Sequence, residues 1–229
     1  MLVAANIQPE RTLAAAAWFS NGVRLVAARF HLLVLSLLIL LGPLPGSAQG
    51  APEQQISRLN DRLLEAMQRA EELGFVGRYE LLAAPLIETF DFEEMARASA
   101  GSHWSKFDSD ERERYVDAFT RMSISTFASR FDGYSGETFE LVGEKPGTRG
   151  TKMVETRIAV PGEEPVAINY VFRETEEGPR VVDVYLDATY SEIAVKRSEY
   201  TSLLRQVGVD GLVAALDRKI AQMKADGGG

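Results

Sequence analysis

The sequence predicts an α+β domain: a four-stranded antiparallel sheet packed on helices, with helices at both ends of the chain. Three observations predict it. Apolar residues recur at three- and four-residue spacing from Ile56 to Phe131, the period of an amphipathic helix. From Glu137 to Leu186 the period drops to two, that of a half-buried strand. After Thr189 the helical period returns almost to Gly229. A helical stripe and a sheet face each need an apolar partner, so the helices must cover the sheet.

The elements follow in order. Gln49 to Pro52 reads as a short leader. Ile56, Leu59, Leu63, Met67 and Ala70 form one helical stripe that stops near Gly74. A second helix spans about Arg78 to Thr89, with Tyr79, Leu82, Leu86 and Ile87 inward and Pro85 placed to bend or split it. Asp91 with Glu94, and Asp108 with Glu111, are capping-box pairs. They open a short helix ending at Gly101 and a long one ending near Phe131. Strands follow around Phe139–Leu141, Val154–Val160, Val166–Phe172 and Val182–Leu186. The links Pro161–Pro165 and Thr175–Pro179 are turns, and links this short make the sheet an antiparallel meander. A helix from about Thr189 to Val207 stops at Gly208, and another starts at Asp210.

Residues 1–48 are expected to be a removable export signal. Arg24 and Arg29 precede the apolar run His31–Leu41, then come Gly42, Pro43 and Pro45, and Gly46-Ser47-Ala48 offers a small-residue cleavage site. The run of about 10 residues is half the roughly 20 that span a bilayer; a retained anchor is the alternative. The stretch before Val23 is long for a positive flank, so initiation near Val23 is expected. The remaining residues 49–229 form one domain. Removing the signal, with Arg11, Arg24 and Arg29 against Glu10, takes the net charge from −8 to about −10. An acidic surface argues against nucleic acid, which needs a basic footprint, and against adsorption to anionic lipid. With no cysteine there is no thiol catalysis, Cys-ligated metal, lipoprotein anchor or disulfide, so the core supplies the stability.

Catalytic equipment is sparse. His103 is the one histidine after the signal, and a loop position between two helices suits a solvated or hydrogen-bonded role. One histidine without cysteine does not make a zinc site. Gly147–Lys152 lacks phosphate-loop spacing and precedes a strand, so it reads as a hairpin turn. Glu163, Glu164, Glu174, Glu176 and Glu177 lie at turns. Asp183 alternates with Val182 and Val184, so it points away from the apolar face. In an apolar pocket it could serve as a general base; a hydrogen-bonding role is the plainer reading. Periodicity does not separate a closed core from a cavity.

Several pieces occur together in order: Asp91-Phe92 with Met95-Ala96, Gly101 with Trp104, Phe127-Ala128 with Arg130-Phe131 and Tyr134, Val182-Asp183-Val184, Arg197–Tyr200, and Gly208–Leu212. In these the chain resembles the toluene-tolerance family of periplasmic phospholipid-binding proteins, the soluble shuttle of the Mla lipid-transport pathway. The run Ser191–Tyr200 is similar to the family's hopanoid-associated branch. Two departures stand out: Arg180 or its neighbours occupy the place of a usual Trp, and Ala188–Ser191 replaces Gly-Val-Ser.

The resemblance implies a lipid cavity between the sheet and the long helix, with no catalytic residue, metal or cofactor and lipid as ligand. Its walls would be Tyr115, Phe119, Phe127 and Phe131 on the helix. On the strands they would be Val154, Thr156, Ile158, Ile168, Tyr170, Phe172, Val184 and Leu186. Arg197, Tyr200 and Tyr134 are candidates for its mouth. The resemblance further implies phospholipid or hopanoid as ligand, the periplasm as location, and two partners: the substrate-binding component of an inner-membrane transporter and an outer-membrane lipid donor complex. The competing classes are a small isomerase-like pocket enzyme and a closed structural or chaperone-like module.

Overall fold

A computed structural model describes residues 51–227; the expected export signal and cleavage site lie outside them. Helix α1 (Pro52–Gln68) begins on Pro52 itself, a residue expected in the leader. Proline suits a first helical position because its missing N–H would have no intrahelical partner there. Helix α2 (Ala70–Thr89) starts at once, and Gly74 (φ 55°, ψ −174°) interrupts it where a stop was expected. Pro85 does not split α2: Leu82 and Leu86, both fully buried, hold the turns around it to the core. Ile87, expected inward, faces out.

Helix α3 (Phe92–Ala100) is capped by Asp91, which accepts from the Glu94 N–H at 2.9 Å. The reciprocal half of that box is absent: the Glu94 carboxylate binds Arg97 and Arg173, and the Asp91 N–H donates to the Val181 carbonyl at 2.9 Å. A 3-10 segment, Gly101–Lys106, leads to α4 (Ser109–Arg130), whose Asp108–Glu111 box is complete. Arg78 is buried and donates to the carbonyls of Ala128 and Ala70, each at 2.9 Å. It thereby ties the α2 break to the end of α4.

The strands are β1 (Thr138–Pro146), β2 (Lys152–Ala159), β3 (Val166–Thr175), β4 (Gly178–Leu186) and β5 (Tyr190–Ser191), an antiparallel meander in that order. The sheet therefore has five strands, not four; two residues are too few to show a period. Bulges break the register twice. On β1 Val142 is extra, between Leu141 opposite Thr156 and Gly143 opposite Glu155. On β4 Val182 is extra, with Asp183 opposite Val171 and Val181 opposite Phe172. The inner face accordingly carries Val181, Val184 and Leu186 rather than the expected Val182, Val184 and Leu186, since a bulge shifts the alternation by one.

Helix α5 (Glu192–Asp226) is broken at Gly208 (φ 68°), where the sequence places the junction of two helices. Helix α1 lies along β1 and β2, whereas α2, α3 and α5 meet β4. Helix α4 packs on α2, α3 and α5. Rings link the layers: Tyr115 to Phe119, Phe119 to Phe92 and to Tyr200, Phe92 to Phe90, and Phe90 to Tyr170, at 5.5–6.4 Å between centroids. Edge-to-face and offset pairs of this kind each add about 0.5–1.5 kcal/mol beyond the area they bury.

Candidate functional site

The inner face of the sheet is graded from closed to open. At one end Val154, Tyr170, Phe172 and Val181 pair across β2, β3 and β4, each at most 1% exposed. In-phase neighbours toward the other end are Phe139 opposite Ile158, and Ile168 opposite Leu186. All four are half-buried. Two rings of the α4 terminus join them: Phe131 stacks on Phe127 at 5.9 Å and meets Phe139 at 6.1 Å.

The twelve residues nominated as lipid-contacting thus separate. Tyr115, Phe119, Val154, Thr156, Tyr170, Phe172 and Val184 are buried in packed core. Phe127, Phe131, Ile158, Ile168 and Leu186 come together as a half-exposed apolar wall, joined by Phe139, which was not nominated. Around this end stand exposed Tyr134 (47%), Leu141 (48%) and Tyr190 (64%). Isolated exposed apolar residues are ordinary; Leu141 on β1 and Tyr190 on β5 stand at the two edges of the wall, on the outer strands of the sheet. Of the proposed mouth residues Tyr134 is exposed, three residues past Phe131. Tyr200 is buried against Phe119. Arg197 lies over Gly101, where even a Cβ would come within 3.0 Å of its Nε.

The residues considered for chemistry have structural roles. Asp183 accepts from the Ser191 hydroxyl (2.6 Å) and from the N–H groups of Val184 (2.8 Å) and Ile193 (3.1 Å). Ser191 in turn accepts from the Ala194 N–H at 3.0 Å. Asp183 therefore fastens the start of α5 to β4 and sits outside the apolar wall. Burial pushes its pKa up from the ordinary 3.8, against the pull of these three hydrogen bonds. His103 has its Nδ1 buried without a hydrogen-bond partner among the described residues, so it is set in no relay. Gly147–Thr151 is a turn closed by the Gly147 N–H on the Thr151 carbonyl. Among the described residues no group of acidic, His or Cys side chains could hold a metal, and no helix is long and apolar enough to cross a membrane.

Asp183→Ala should cost about 2–3 kcal/mol in denaturant unfolding, because it leaves the Ile193 N–H of α5, the Val184 N–H of β4 and the Ser191 hydroxyl without their acceptor. Asp183→Asn keeps an acceptor in place and should cost less than about 1 kcal/mol. A carboxyl with a raised folded pKa stabilises the fold fully only below its unfolded value, and that contribution is lost as pH rises through the folded value. Wild type measured against Asp183→Asn should therefore be relatively most stable below about pH 4 and lose ground above it. A flat difference across that window would contradict the assignment.

The whole architecture has a solved counterpart. A phospholipid-binding protein from Ralstonia solanacearum, determined in complex with a phospholipid, superposes with a TM-score of 0.66 at 18% sequence identity, covering 76% of this chain and 99% of that one. At that identity the likeness speaks for the fold. The sequence itself carries the closer relation: the family model described as MlaC protein matches residues 57–218, from the first turns of α1 to the last third of α5. The match takes in every element that builds the graded sheet face, and this chain belongs to the MlaC protein family.

Proposed function

We propose that the protein is a non-catalytic lipid carrier of the periplasm, holding acyl chains against the apolar wall at the open end of the sheet. The observation that carries this reading is the grading of a single sheet face, packed at Tyr170 and half-exposed from Ile168 outward. Family membership and the phospholipid-bound counterpart support the same ligand class.

The energetics suit transfer. Each buried CH₂ is worth about 0.8 kcal/mol relative to water, so a long acyl chain gains on the order of 10 kcal/mol in an apolar site. A bilayer offers nearly the same, so exchange with a membrane is close to neutral while escape into water is not. No reaction and no cofactor are required. In this reading the protein shuttles phospholipid, or a hopanoid-type lipid, between inner and outer membranes. It exchanges cargo with the substrate-binding component of an inner-membrane transporter and with an outer-membrane donor complex.

The test is native mass spectrometry of the full-length gene product, exported and purified without detergent, followed by lipid extraction. One added lipid mass, with phospholipid or hopanoid in the extract, is the expected result. A bare mass with no uptake from liposomes would refute the carrier.

A further inference from the structure

We propose that Lys196 is the anion-binding residue of this site and that its ammonium takes the phosphate of the bound lipid; the proposal rests on the carrier reading above. Lys196 lies on the inward stripe of α5. Ile193, Lys196, Tyr200 and Leu204 follow at helical spacing, and the other three are buried. Its Nζ lies over the Tyr200 ring, 5.9 Å from the centroid. Lysines on apolar surface ordinarily extend their ammonium to water. This one is turned onto a buried ring.

Its neighbours leave it unpaired. Glu192, one turn back, is engaged by Arg130 of α4 at 3.9 Å. Glu199 lies on the following turn and is exposed. Among the described residues neither comes within 4.0 Å of Nζ, and no hydrogen bond reaches it. Burial pulls its pKa below the ordinary lysine value, the nearby Arg130 charge acts in the same direction, and Glu192 and Glu199 oppose them. Lys196 is half-buried, and a partly desolvated cation without a counter-ion is a net cost to the fold unless something supplies the opposite charge.

The location says what supplies it. The contacts between α4 and the first half of α5 include Phe119 on Tyr200, at 6.4 Å, and Arg130 with Glu192. Lys196 lies between them. Arg130 immediately precedes Phe131, whose ring forms the α4 side of the apolar wall. The cation therefore stands where the packed core gives way to that wall, in a protein whose net charge of −8 repels anions elsewhere. A phosphodiester presents acceptor oxygens to the three ammonium hydrogens while its acyl chains run along the wall.

The experiment compares phosphatidylglycerol with diacylglycerol, which has the same chains and no phosphate. Detergent-free wild type, Lys196→Met and Lys196→Arg are incubated with vesicles containing each lipid, and retained lipid is counted by native mass spectrometry. Wild type is expected to prefer phosphatidylglycerol. Lys196→Met should lower its retention about tenfold, the loss of one charge-assisted hydrogen bond, and leave diacylglycerol unchanged. Lys196→Arg should restore most of the preference. Lys196→Gln replaces the methionine variant if that one does not fold.

Equal phosphatidylglycerol retention in wild type and Lys196→Met overturns the site and leaves the carrier standing. Uptake of neither lipid by wild type overturns both. Inorganic phosphate alone, titrated against the Lys196 side-chain resonance, should produce no saturable shift. A saturable shift would make this a free-phosphate site and overturn the lipid assignment.

Discussion

Ile168→Glu is expected to give a folded protein without its lipid. Ile168 sits on the inner face between Thr156 and Leu186, and it is only half-buried. A carboxylate there can reach water through the open end, so the fold should lose only about 1–2 kcal/mol. A lipid laid along the wall would seal that route. Desolvating an ionised carboxylate against acyl chains costs several kcal/mol, enough to reverse a nearly neutral exchange with a bilayer. Retained lipid should fall below detection while circular dichroism and cooperative unfolding stay near wild type. A folded Ile168→Glu protein carrying wild-type lipid would show that the open end is not the binding surface.

The same substitution one in-phase position along the strand should have the opposite consequence. Tyr170 is 1% exposed, faces Val154 and Val184, and meets Phe90 at 6.3 Å. A glutamate at this point has no path to water and removes an aromatic anchor of the core. Truncating a buried aromatic costs about 3–5 kcal/mol, and an unpaired buried carboxyl adds several more. The total is comparable with the entire stability of a domain, about 5–15 kcal/mol. Tyr170→Glu should give protease-sensitive chains with no cooperative transition; wild-type melting would place Tyr170 on an accessible wall. Phe172 is as buried as Tyr170, so a charge there too would test the fold and not the ligand.

The sequence displayed whatever local chemistry decides. The breaks at Gly74 and Gly208 and the caps at Asp91 and Asp108 fall where those residues stand. Where packing from distant segments decides, local reading failed. Pro85 stays within α2 because Leu82 and Leu86 are buried on either side of it. Val182 left the inner face because a bulge has no period of its own. The site was legible as a face but not as a place on that face: Val154 and Ile158 share an alternation, yet one is sealed and the other half-open. What separates them is packing from distant segments, since Val154 belongs to the packed core and Ile158 does not, and no strand pattern records that. Lys196 carried a readable signal, a cation on a stripe with Ile193, Tyr200 and Leu204. It passed unremarked because a lysine on a helix is usually solvated.

The packed half of the sheet makes the empty protein durable. Its ring-linked core, from Tyr115 through Phe119, Phe92 and Phe90 to Tyr170, is held by the protein's own side chains. A guest adds stability by mass action, but the scaffold does not wait for it. In the proposed carrier, loading and unloading would then repeat on one persistent frame, with no round of unfolding between deliveries. A vehicle that needed its cargo to hold its shape would be lost each time it delivered.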